Sequence, residues 1–337
     1  MLDINIKKLK KNAYRVTKNR SKTGLRIRVP GGHLDVKFMD LLKIIAEKYG
    51  NGSIHITTRQ GFEIPDIDYK NIPEINKLIS PLLKDLKESA GVNIEKINEG
   101  YSAAGTRNVT ACIGNRVCPF GNRDTTDLAQ KIEKIIYPND YHVKIAITGC
   151  PNDCIKSCMH DIGIICTSMP QYDQSRCIGC DACQKNCRLR ITGSLTSHNG
   201  KIKRDPRRCI GCGECVLKCP TAAWTRVNSK FYNIVIMGRT GKKNPRTAKP
   251  FIFWADENVV TGIVANMYKY IDRYIDRTLP KEHVGYIVDR TGFQVFRDTV
   301  LENITLNPDA RVATHINWDG YHYGSDVYIS CPDNYFS

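Results

Sequence analysis

Four cysteines between residues 110 and 154 have the types and spacing of a metal or iron–sulfur site. Cys112 and Cys118 form a C-x5-C pair, and Cys150 and Cys154 form a C-x3-C pair within Gly-Cys-Pro-Asn-Asp-Cys. Thiolates are soft ligands that favour iron–sulfur clusters or zinc, and four of them close one tetrahedral site or hold one cube. Zinc sites commonly use C-x2-C or C-x4-C pairs instead. An iron–sulfur cluster is therefore favoured, with zinc as the alternative.

Eight further cysteines form a C-x2-C-x2-C-x3-C run that occurs twice. This is the pattern of bacterial two-cluster ferredoxins, in which the fourth cysteine of each run serves the other cluster. It fits a zinc ribbon poorly because the cysteine order matches a ferredoxin twice. The predicted ligands of one cluster are Cys177, Cys180, Cys183 and Cys219. Those of the other are Cys209, Cys212, Cys215 and Cys187.

Cysteine usage and the N-terminal sequence indicate a reducing compartment. Of the 15 cysteines in 337 residues, only Cys331 lies outside the segment from Cys112 to Cys219. The first eleven residues hold four lysines and no apolar signal-peptide core, and no stretch reaches the length of a membrane span. We therefore expect a soluble, cytoplasmic protein whose thiols hold metal rather than form disulfides.

The net charge of +16 suggests two kinds of partner. Nucleic acid is one, but the basic runs lack an aromatic-interleaved binding motif or a helix-turn-helix pattern. Anionic cofactors are the other, since a [4Fe-4S] cube with four thiolates carries a charge of about −2. Anionic cofactors explain the charge better than nucleic acid does.

The C-x5-C pair followed by G-C-P-N-x-C resembles the sirohaem-binding core of the sulfite and nitrite reductase family. The resemblance extends from about Gly24 to about Phe293. It implies that Cys112, Cys118, Cys150 and Cys154 hold a [4Fe-4S] cluster and that Cys154 also ligates the sirohaem iron. Together with the ferredoxin pattern, it predicts sirohaem and three [4Fe-4S] clusters.

The same resemblance implies a set of anion-binding residues. By themselves, arginines at strand ends are usually solvated, but R-x-P-G-G and T-x-R-Q are similar to substrate-binding motifs of the family. Arg28 and Arg59 are therefore the predicted substrate ligands, with Arg26 as the alternative to Arg28. Lys144 is a third ligand, and His142, which replaces a lysine usual in the family, is a further candidate. The residues expected to hold sirohaem are Arg107, Asn108, Thr110, Arg239, Lys242 and Lys243.

Apolar periodicity predicts the elements that position these residues. Alternation in 24–29 indicates a strand, followed by a helix over 35–49, strands at 53–58 and 62–64, and a helix over 72–86. Leu128, Ile132 and Ile135 give 126–136 the core stripe of a helix. Buried strands are predicted at 143–148, 162–166 and 231–237, and a helix over 259–274.

These elements predict an α+β protein. We expect a ferredoxin-like half-domain at 1–90, a sirohaem and [4Fe-4S] α/β domain in two parts at 91–170 and 228–337, and an inserted two-cluster ferredoxin domain at 171–227.

The resemblance implies six-electron reduction of sulfite to sulfide, with nitrite as an alternative substrate. A non-catalytic electron-transfer subunit without sirohaem is the alternative from another class. Single-chain enzymes of the family contain two copies of the half-domain and sirohaem-domain unit, whereas this chain contains one, so a homodimer or hetero-oligomer is expected. The sequence has no flavin or nicotinamide motif, which makes a donor subunit or a ferredoxin the expected source of electrons.

Overall fold

A computed structural model describes residues 5, 6, 9, 13–90, 106–139, 141–241, 245–279 and 282–316. Its strands are, in chain order, β1 (Tyr14–Val16), β2 (Thr23–Ile27), β3 (His55–Ile56), β4 (Phe62–Ile67), β5 (Thr110–Ala111), β6 (Ile145–Thr148), β7 (Ile162–Thr167), β8 (Pro170–Tyr172), β9 (Leu195–His198), β10 (Lys201–Arg204), β11 (Trp224–Arg226), β12 (Phe231–Ile236), β13 (Lys249–Ala255) and β14 (Arg311–Val312). Its helices are α1 (Met39–Tyr49), α2 (Ile72–Ala90), α3 (Thr126–Ile136), α4 (Ala182–Arg190), α5 (Glu214–Lys218), α6 (Glu257–Tyr274), α7 (Val284–Thr291) and α8 (Phe293–Val300).

The chain divides into two compact units. The first comprises 1–111, 126–146 and 261–303, and the second comprises 112–125, 147–260 and 304–337. Lys242, Lys243 and Cys331, which the sequence analysis singles out, lie outside the described residues.

The first unit contains a four-stranded antiparallel sheet in the order β1-β2-β4-β3. Leu25 of β2 lies opposite Tyr14 of β1 and Ile64 of β4. The predicted strand at 53–58 is present only as His55–Ile56, and β1 was not predicted because the region before residue 23 has no clear apolar period. The sheet places Arg26 and Arg28 at the end of β2, next to the turn that carries Arg59.

Helices α1 and α2 cover this sheet and close its core. Leu42 and Ile45 of α1, and Ile75, Ile79 and Leu82 of α2, are buried in one cluster with the inward residues of β2 and β4. Their spacing of three and four residues puts each set on one helical face. Burying each such side chain stabilises the fold by roughly 1.5–3 kcal/mol. The helix predicted over 35–49 is confirmed from Met39, with Asp35 accepting a hydrogen bond from the Lys37 amide just before it.

Helix α3 follows its predicted range but buries a different face. Leu128 and Ile132 are buried as expected, whereas Ile135 is 37 % exposed, so its assignment to the core stripe was wrong. Glu133 takes the inward position instead and is fully buried. A carboxylate is buried only when a partner compensates its charge, and the functional site supplies that partner.

In the second unit, four antiparallel strands follow the order β14-β13-β12-β7. Every residue of β12 is buried, and Ile234 pairs with Ile164 of β7 on one side and with Ile252 of β13 on the other. The continuous apolar run in β12 therefore reflects a central strand that is covered on both faces.

Between β7 and β12 lies a segment with small sheets of its own. The β9–β10 hairpin and the β8–β11 pair flank helices α4 and α5. Trp224 of β11 packs against Tyr172 of β8, with ring centroids 4.7 Å apart, and both belong to one cluster with the buried Leu195 and Ile202. Five cysteines of the duplicated run pack in this small core, namely Cys177, Cys183, Cys187, Cys215 and Cys219.

In the described parts of the chain, no helix has the length and apolar character needed to cross a membrane.

Candidate functional site

The first unit has a cavity of about 240 Å³ lined by Arg26, Arg28, Arg59 and Arg107. The remaining lining is mostly small or polar, including Thr57, Thr58, Thr106 and Asn108. Arg15 lies close by: burial and the charges of Arg26 and Arg107 lower its pKa to about 10. Glu63 forms an ion pair with Arg26 and offsets part of this charge, and the remaining positive charge favours an anion in the cavity. The cavity therefore has the size and charge of a small oxyanion site.

Arg28 forms a buried ion pair with Glu133 of α3. Its Nη2 lies 2.6 Å from Oε1 of Glu133, and the two side chains are 3 % and 0 % exposed. The same nitrogen donates to the carbonyl of Arg107 at 3.3 Å, and the guanidinium lies 5.0 Å from the ring centroid of Tyr137. The predicted substrate ligand Arg28 thus lines the cavity, but a carboxylate on α3 compensates its charge.

The turn at Pro30–Gly32, which follows Arg28, fixes the position of the backbone that carries this side chain. Gly31 has φ of +69°, and a Cβ there would lie 2.9 Å from the Cβ of Ala129 on α3. Its amide donates to the carbonyl of Val109 at 2.9 Å. Only glycine combines this backbone conformation with so close an approach, which explains the Pro-Gly-Gly sequence.

Arg59 reaches the same cavity from a tight turn. The Thr57 hydroxyl accepts hydrogen bonds from the amides of Arg59 and Gly61 at 3.3 and 3.0 Å. Gln60 then pairs with Ala111 in both directions: its Nε2 donates to the carbonyl at 2.6 Å, and its Oε1 accepts from the amide at 2.7 Å. The T-x-R-Q spacing therefore has a simple function, in which glutamine anchors the turn and arginine faces the cavity.

Asn108 connects the two arginine-bearing turns. Its Nδ2 donates to the carbonyls of Val29 at 2.8 Å and Arg59 at 2.6 Å. These bonds use both amide hydrogens, so the side chain has no N–H left for the cofactor carboxylate predicted for it. The hydroxyl hydrogen of Thr110 is also in use, since it is donated to the carbonyl of Ile145 at 3.3 Å.

Arg107 contacts the imidazole of His142. Its Nη2 lies 2.7 Å from Nδ1 of His142. Because a guanidinium only donates, Nδ1 is the acceptor, and the hydrogen of the neutral imidazole lies on Nε2. His283 packs edge-on against His142, with ring centroids 4.5 Å apart. The role of Arg107 at the cavity was not foreseen, since its motif pointed to the cofactor alone.

The other predicted anion ligands occupy different surroundings. Lys144 is half-buried and lies just before β6, two residues after His142. In the second unit, Arg239 is buried, and its backbone exchanges two hydrogen bonds with Arg246 at 2.9 and 2.8 Å. Arg239 and Arg246 thus bring two buried guanidinium groups to one end of β12.

The C-x5-C loop of the second unit wraps around the Gly149–Cys150 turn. The Gly149 amide donates to Sγ of Cys112 at 2.9 Å, and the Cys118 amide donates to the Gly114 carbonyl at 3.1 Å. Gly114 has φ of +62°, and a Cβ there would lie 2.2 Å from the Arg123 carbonyl. Backbone donors to sulfur and glycine at the tightest point are what a buried thiolate ligand requires.

The C-x3-C turn is closed by Asp153. Its carboxylate accepts from the amides of Ser157 at 2.7 Å and Cys158 at 3.1 Å. Burial raises the pKa of the Cys150 thiol, and the nearby Cys118, Cys112 and Cys154 raise it further. All four predicted ligands therefore sit together. Cys154 is the exposed member of the four.

Four cysteines of the duplicated run lie around one space in the second unit. Cys187, Cys209, Cys212 and Cys215 line one small cavity. Burial raises the pKa of Cys212 to about 11, and Cys209 and Cys187 add to this rise. Cys187 thus lies beside the three cysteines of the later run.

The other set is linked through Cys183 and Cys219. Burial raises the pKa of Cys183, and nearby Cys219 raises it further. Burial also raises the pKa of Cys219, but hydrogen bonds from the Trp224 backbone and the Thr221 side chain outweigh it, so the net shift is downward. Cys177 packs with both in the Trp224 core.

These arrangements fit iron–sulfur clusters chemically. Buried thiols such as Cys150 and Cys212, whose pKa values are raised, ionise readily only when a cationic group joins them.

Comparison with known proteins agrees with this geometry. The family described as the nitrite and sulphite reductase 4Fe-4S domain matches residues 102–307. The nitrite/sulfite reductase ferredoxin-like half domain matches residues 16–82. The chain belongs to the nitrite and sulfite reductase family. The predicted family, the half-domain and the presence of a 4Fe-4S domain are thereby confirmed.

Relatives of this nitrite and sulfite reductase family member include two sulfite reductases. The chain is 41% identical over 319 residues to one subunit of the anaerobic sulfite reductase of Salmonella typhimurium, covering 94% of this chain and 95% of the relative. It is 29% identical to the coenzyme F420-dependent sulfite reductase of Methanocaldococcus jannaschii over 286 residues, 82% of this chain and 42% of that protein. The crystal structure of dissimilatory sulfite reductase I superposes with a TM-score of 0.65 at 16% identity, covering 91% of this chain and 74% of that one. The last comparison shows a shared fold.

Proposed function

We propose that this chain is a catalytic subunit that reduces sulfite to sulfide. The observation that carries the proposal is the arginine-lined cavity of about 240 Å³ in a member of this family. The similarity to a component of anaerobic sulfite reductase supports sulfite as the substrate. In the net reaction, hydrogensulfite takes up six electrons and six protons and yields hydrosulfide and three water molecules.

Cysteines and arginines are the proposed cofactor ligands. Cys112, Cys118, Cys150 and Cys154 are the proposed ligands of one [4Fe-4S] cluster, with Cys154 shared with the sirohaem iron. Arg107 and Arg239 are candidates for the sirohaem carboxylates because guanidinium pairs with carboxylate in two parallel bonds. Sirohaem, when bound, would supply the redox chemistry for reducing the substrate.

The side chains of the cavity would bind and orient the oxyanion. Arg28 and Arg59 are the proposed ligands of its oxygens, and Arg107 lines the same cavity. Arginine cannot release a proton at physiological pH. Lys144 and His142 are therefore the groups proposed to hold and supply protons. His142 accepts from Arg107 at Nδ1, so it can take up and pass on a proton only when Arg107 turns away from Nδ1, whereas the Lys144 ammonium can donate directly.

The proposed half-domain covers residues 1–90, and the proposed sirohaem domain follows in two parts at 91–170 and 228–337. Residues 171–227, between these two parts, are the proposed inserted two-cluster ferredoxin domain. Its grouped thiols support two further [4Fe-4S] clusters, giving three in all. Electrons would come from a partner, since the relative is one subunit of a larger enzyme. A hetero-oligomer with donor subunits is the proposed assembly.

Cofactor analysis of anaerobically purified protein tests this function. We expect about twelve iron atoms in clusters, with one more in sirohaem, and sirohaem absorption bands that iron–sulfur clusters lack. With reduced methyl viologen as donor, sulfide should form, and kcat/KM for sulfite should exceed that for nitrite. A higher value for nitrite favours a nitrite reductase. Protein with clusters and no sirohaem is an electron-transfer subunit and contradicts the proposal.

Arg59→Lys tests the substrate cavity. Lysine keeps the charge but loses the planar pair of donors. Losing a hydrogen bond to a charged group costs about 1.5–3 kcal/mol, so kcat/KM for sulfite should fall roughly 10- to 150-fold. The same change at Arg20, an exposed arginine of the same unit, should leave it unchanged. Equal kcat/KM values for Arg59→Lys and the wild type would remove Arg59 from the site.

A further inference from the structure

Asn122 lies in the loop between Cys118 and α3, within the second unit, and is 2 % exposed. The backbone N–H of Asn122 donates to the carbonyl of Gly149 at 2.7 Å. Gly149 immediately precedes Cys150 and donates to Cys112. The backbone of Asn122 is therefore part of the wall around the first group of four cysteines.

The side chain of Asn122 reaches a different cysteine loop. Its Nδ2 lies 3.3 Å from the carbonyl oxygens of Cys166 and Gly211 and 3.5 Å from that of Cys212. Its Oδ1 approaches Gly213 so closely that a Cβ there would lie 2.7 Å away. One buried residue thus bonds the first cysteine group by its backbone and the Cys209–Cys215 loop by its side chain.

Other contacts hold the Cys209–Cys215 loop against the sheet of the second unit. The Ser168 amide donates to the Gly211 carbonyl at 2.9 Å, and Asn233 of β12 donates to the Ile210 carbonyl at 3.5 Å. A Cβ on Gly211 would lie 2.7 Å from Cη2 of Trp254 and 2.8 Å from the Cβ of Thr167. Glycine, with φ of +70°, allows this approach.

The loop of the first ferredoxin-type run has different neighbours. A Cβ on Gly179 would lie 3.0 Å from the Gly200 carbonyl in the β9–β10 hairpin. Lys201 of that hairpin donates to the Cys177 carbonyl at 2.9 Å. Ile178 is 68 % exposed, and Cys180 is exposed as well. This loop therefore lies at the surface of the second unit, whereas the Cys209–Cys215 loop is packed inside it.

We infer that Asn122 is a positioning residue that fixes the Cys209–Cys215 loop beside the Gly149–Cys150 turn. The set Cys187, Cys209, Cys212 and Cys215 is then the inner of the two ferredoxin-type sites. The set Cys177, Cys180, Cys183 and Cys219 is the outer one, on the side that a one-electron donor protein reaches. This inference rests on the proposed function only in assuming that all three cysteine sets hold clusters.

Removing one set at a time tests the assignment without changing Asn122. In dithionite-reduced protein, electron paramagnetic resonance detects the magnetic interaction between neighbouring reduced clusters. Cys209→Ser should abolish the splitting of the signal that belongs to the Cys112 group. Cys180→Ser should leave that splitting in place. The reverse result overturns the assignment. Because the readout is magnetic, it stays interpretable even if the protein makes no sulfide.

Asn122→Ala tests the positioning role. We expect weaker splitting, with the iron content kept at about twelve atoms in clusters per chain. Asn266→Ala is the matched control, because Asn266 is also buried and donates to two backbone carbonyls, at 3.2 and 2.8 Å, away from the cysteine loops. It should leave the splitting unchanged. Full iron content with wild-type splitting in Asn122→Ala overturns the role, as does an equal loss of splitting in Asn266→Ala.

Discussion

Replacing Glu133 with glutamine is expected to destabilise the protein by about 3–5 kcal/mol, the usual cost of removing one partner from a buried ion pair. Glutamine has nearly the same volume, so packing around α3 is kept. Arg28 is 3 % exposed and 2.6 Å from Glu133. Without the carboxylate, its charge is buried beside the Arg107 carbonyl and the Tyr137 ring, neither of which is an anion.

Stability and activity should respond together in Glu133→Gln. The urea midpoint should fall, and kcat/KM for sulfite should fall as well, because Arg28 loses the group that aims it into the cavity. Glu47→Gln is the matched control on α1. Glu47 faces Lys43 at 4.0 Å, and both are more than half exposed. Exposed pairs of this kind contribute less than about 1 kcal/mol, so the control should resemble the wild type.

A double variant separates the two effects. Replacing both partners of a buried ion pair by apolar residues is often neutral or stabilising. Arg28→Met with Glu133→Leu should therefore recover most of the urea midpoint while kcat/KM for sulfite stays low. Recovery of both would show that Arg28 acts in folding alone. An unchanged midpoint in Glu133→Gln would show that the carboxylate does not compensate Arg28.

Features that require particular side chains at a particular spacing could be predicted from the sequence. Thiolate spacing predicted three groups of four cysteines, and the side-chain surroundings of Cys150 and Cys212 agree with two of them. Apolar periodicity predicted α1 and the central strand β12 to within a few residues. In these segments local preference and burial agree, so the pattern is visible in the sequence.

The partners of the site residues could not be predicted in the same way. Carboxylates are rarely buried, and the burial of Glu133 depends on Arg28, more than a hundred positions away. Asn108 was predicted to be a cofactor ligand, yet its amide joins Val29 and Arg59. Such pairings are set by tertiary contacts, which local propensity does not encode.

Serine at position 150 should abolish sulfite reduction while leaving the two ferredoxin-type sites intact. Cys150 is buried among Cys112, Cys118 and Cys154, and a hydroxyl is a much poorer ligand for iron than a thiolate. Changes to the groups that merely hold metal ligands in place cost about 10- to 100-fold. Loss of a ligand itself should lower activity by more than ~100-fold for that reason.

Iron analysis and spectroscopy show which site is lost. The Cys150→Ser variant should contain about four fewer iron atoms in clusters than the wild type, since one cube holds four. Signals of the ferredoxin-type clusters should persist, which shows that the chain has folded. Cys158→Ser is the matched control, a half-buried cysteine four residues beyond Cys154 whose amide donates to the Asp153 carboxylate.

The comparison decides whether Cys150 is a ligand or only a buried thiol. Free cysteine in a protein core behaves as a small apolar residue, and its replacement by serine alters stability without removing iron. Cys158→Ser should therefore keep all its iron and its sulfite activity. If Cys158→Ser loses iron and Cys150→Ser does not, the ligand set is wrong and the cluster uses Cys158. Because the Asp153 carboxylate closes the turn that carries both cysteines, the two variants disturb the same backbone and differ mainly in which sulfur they remove.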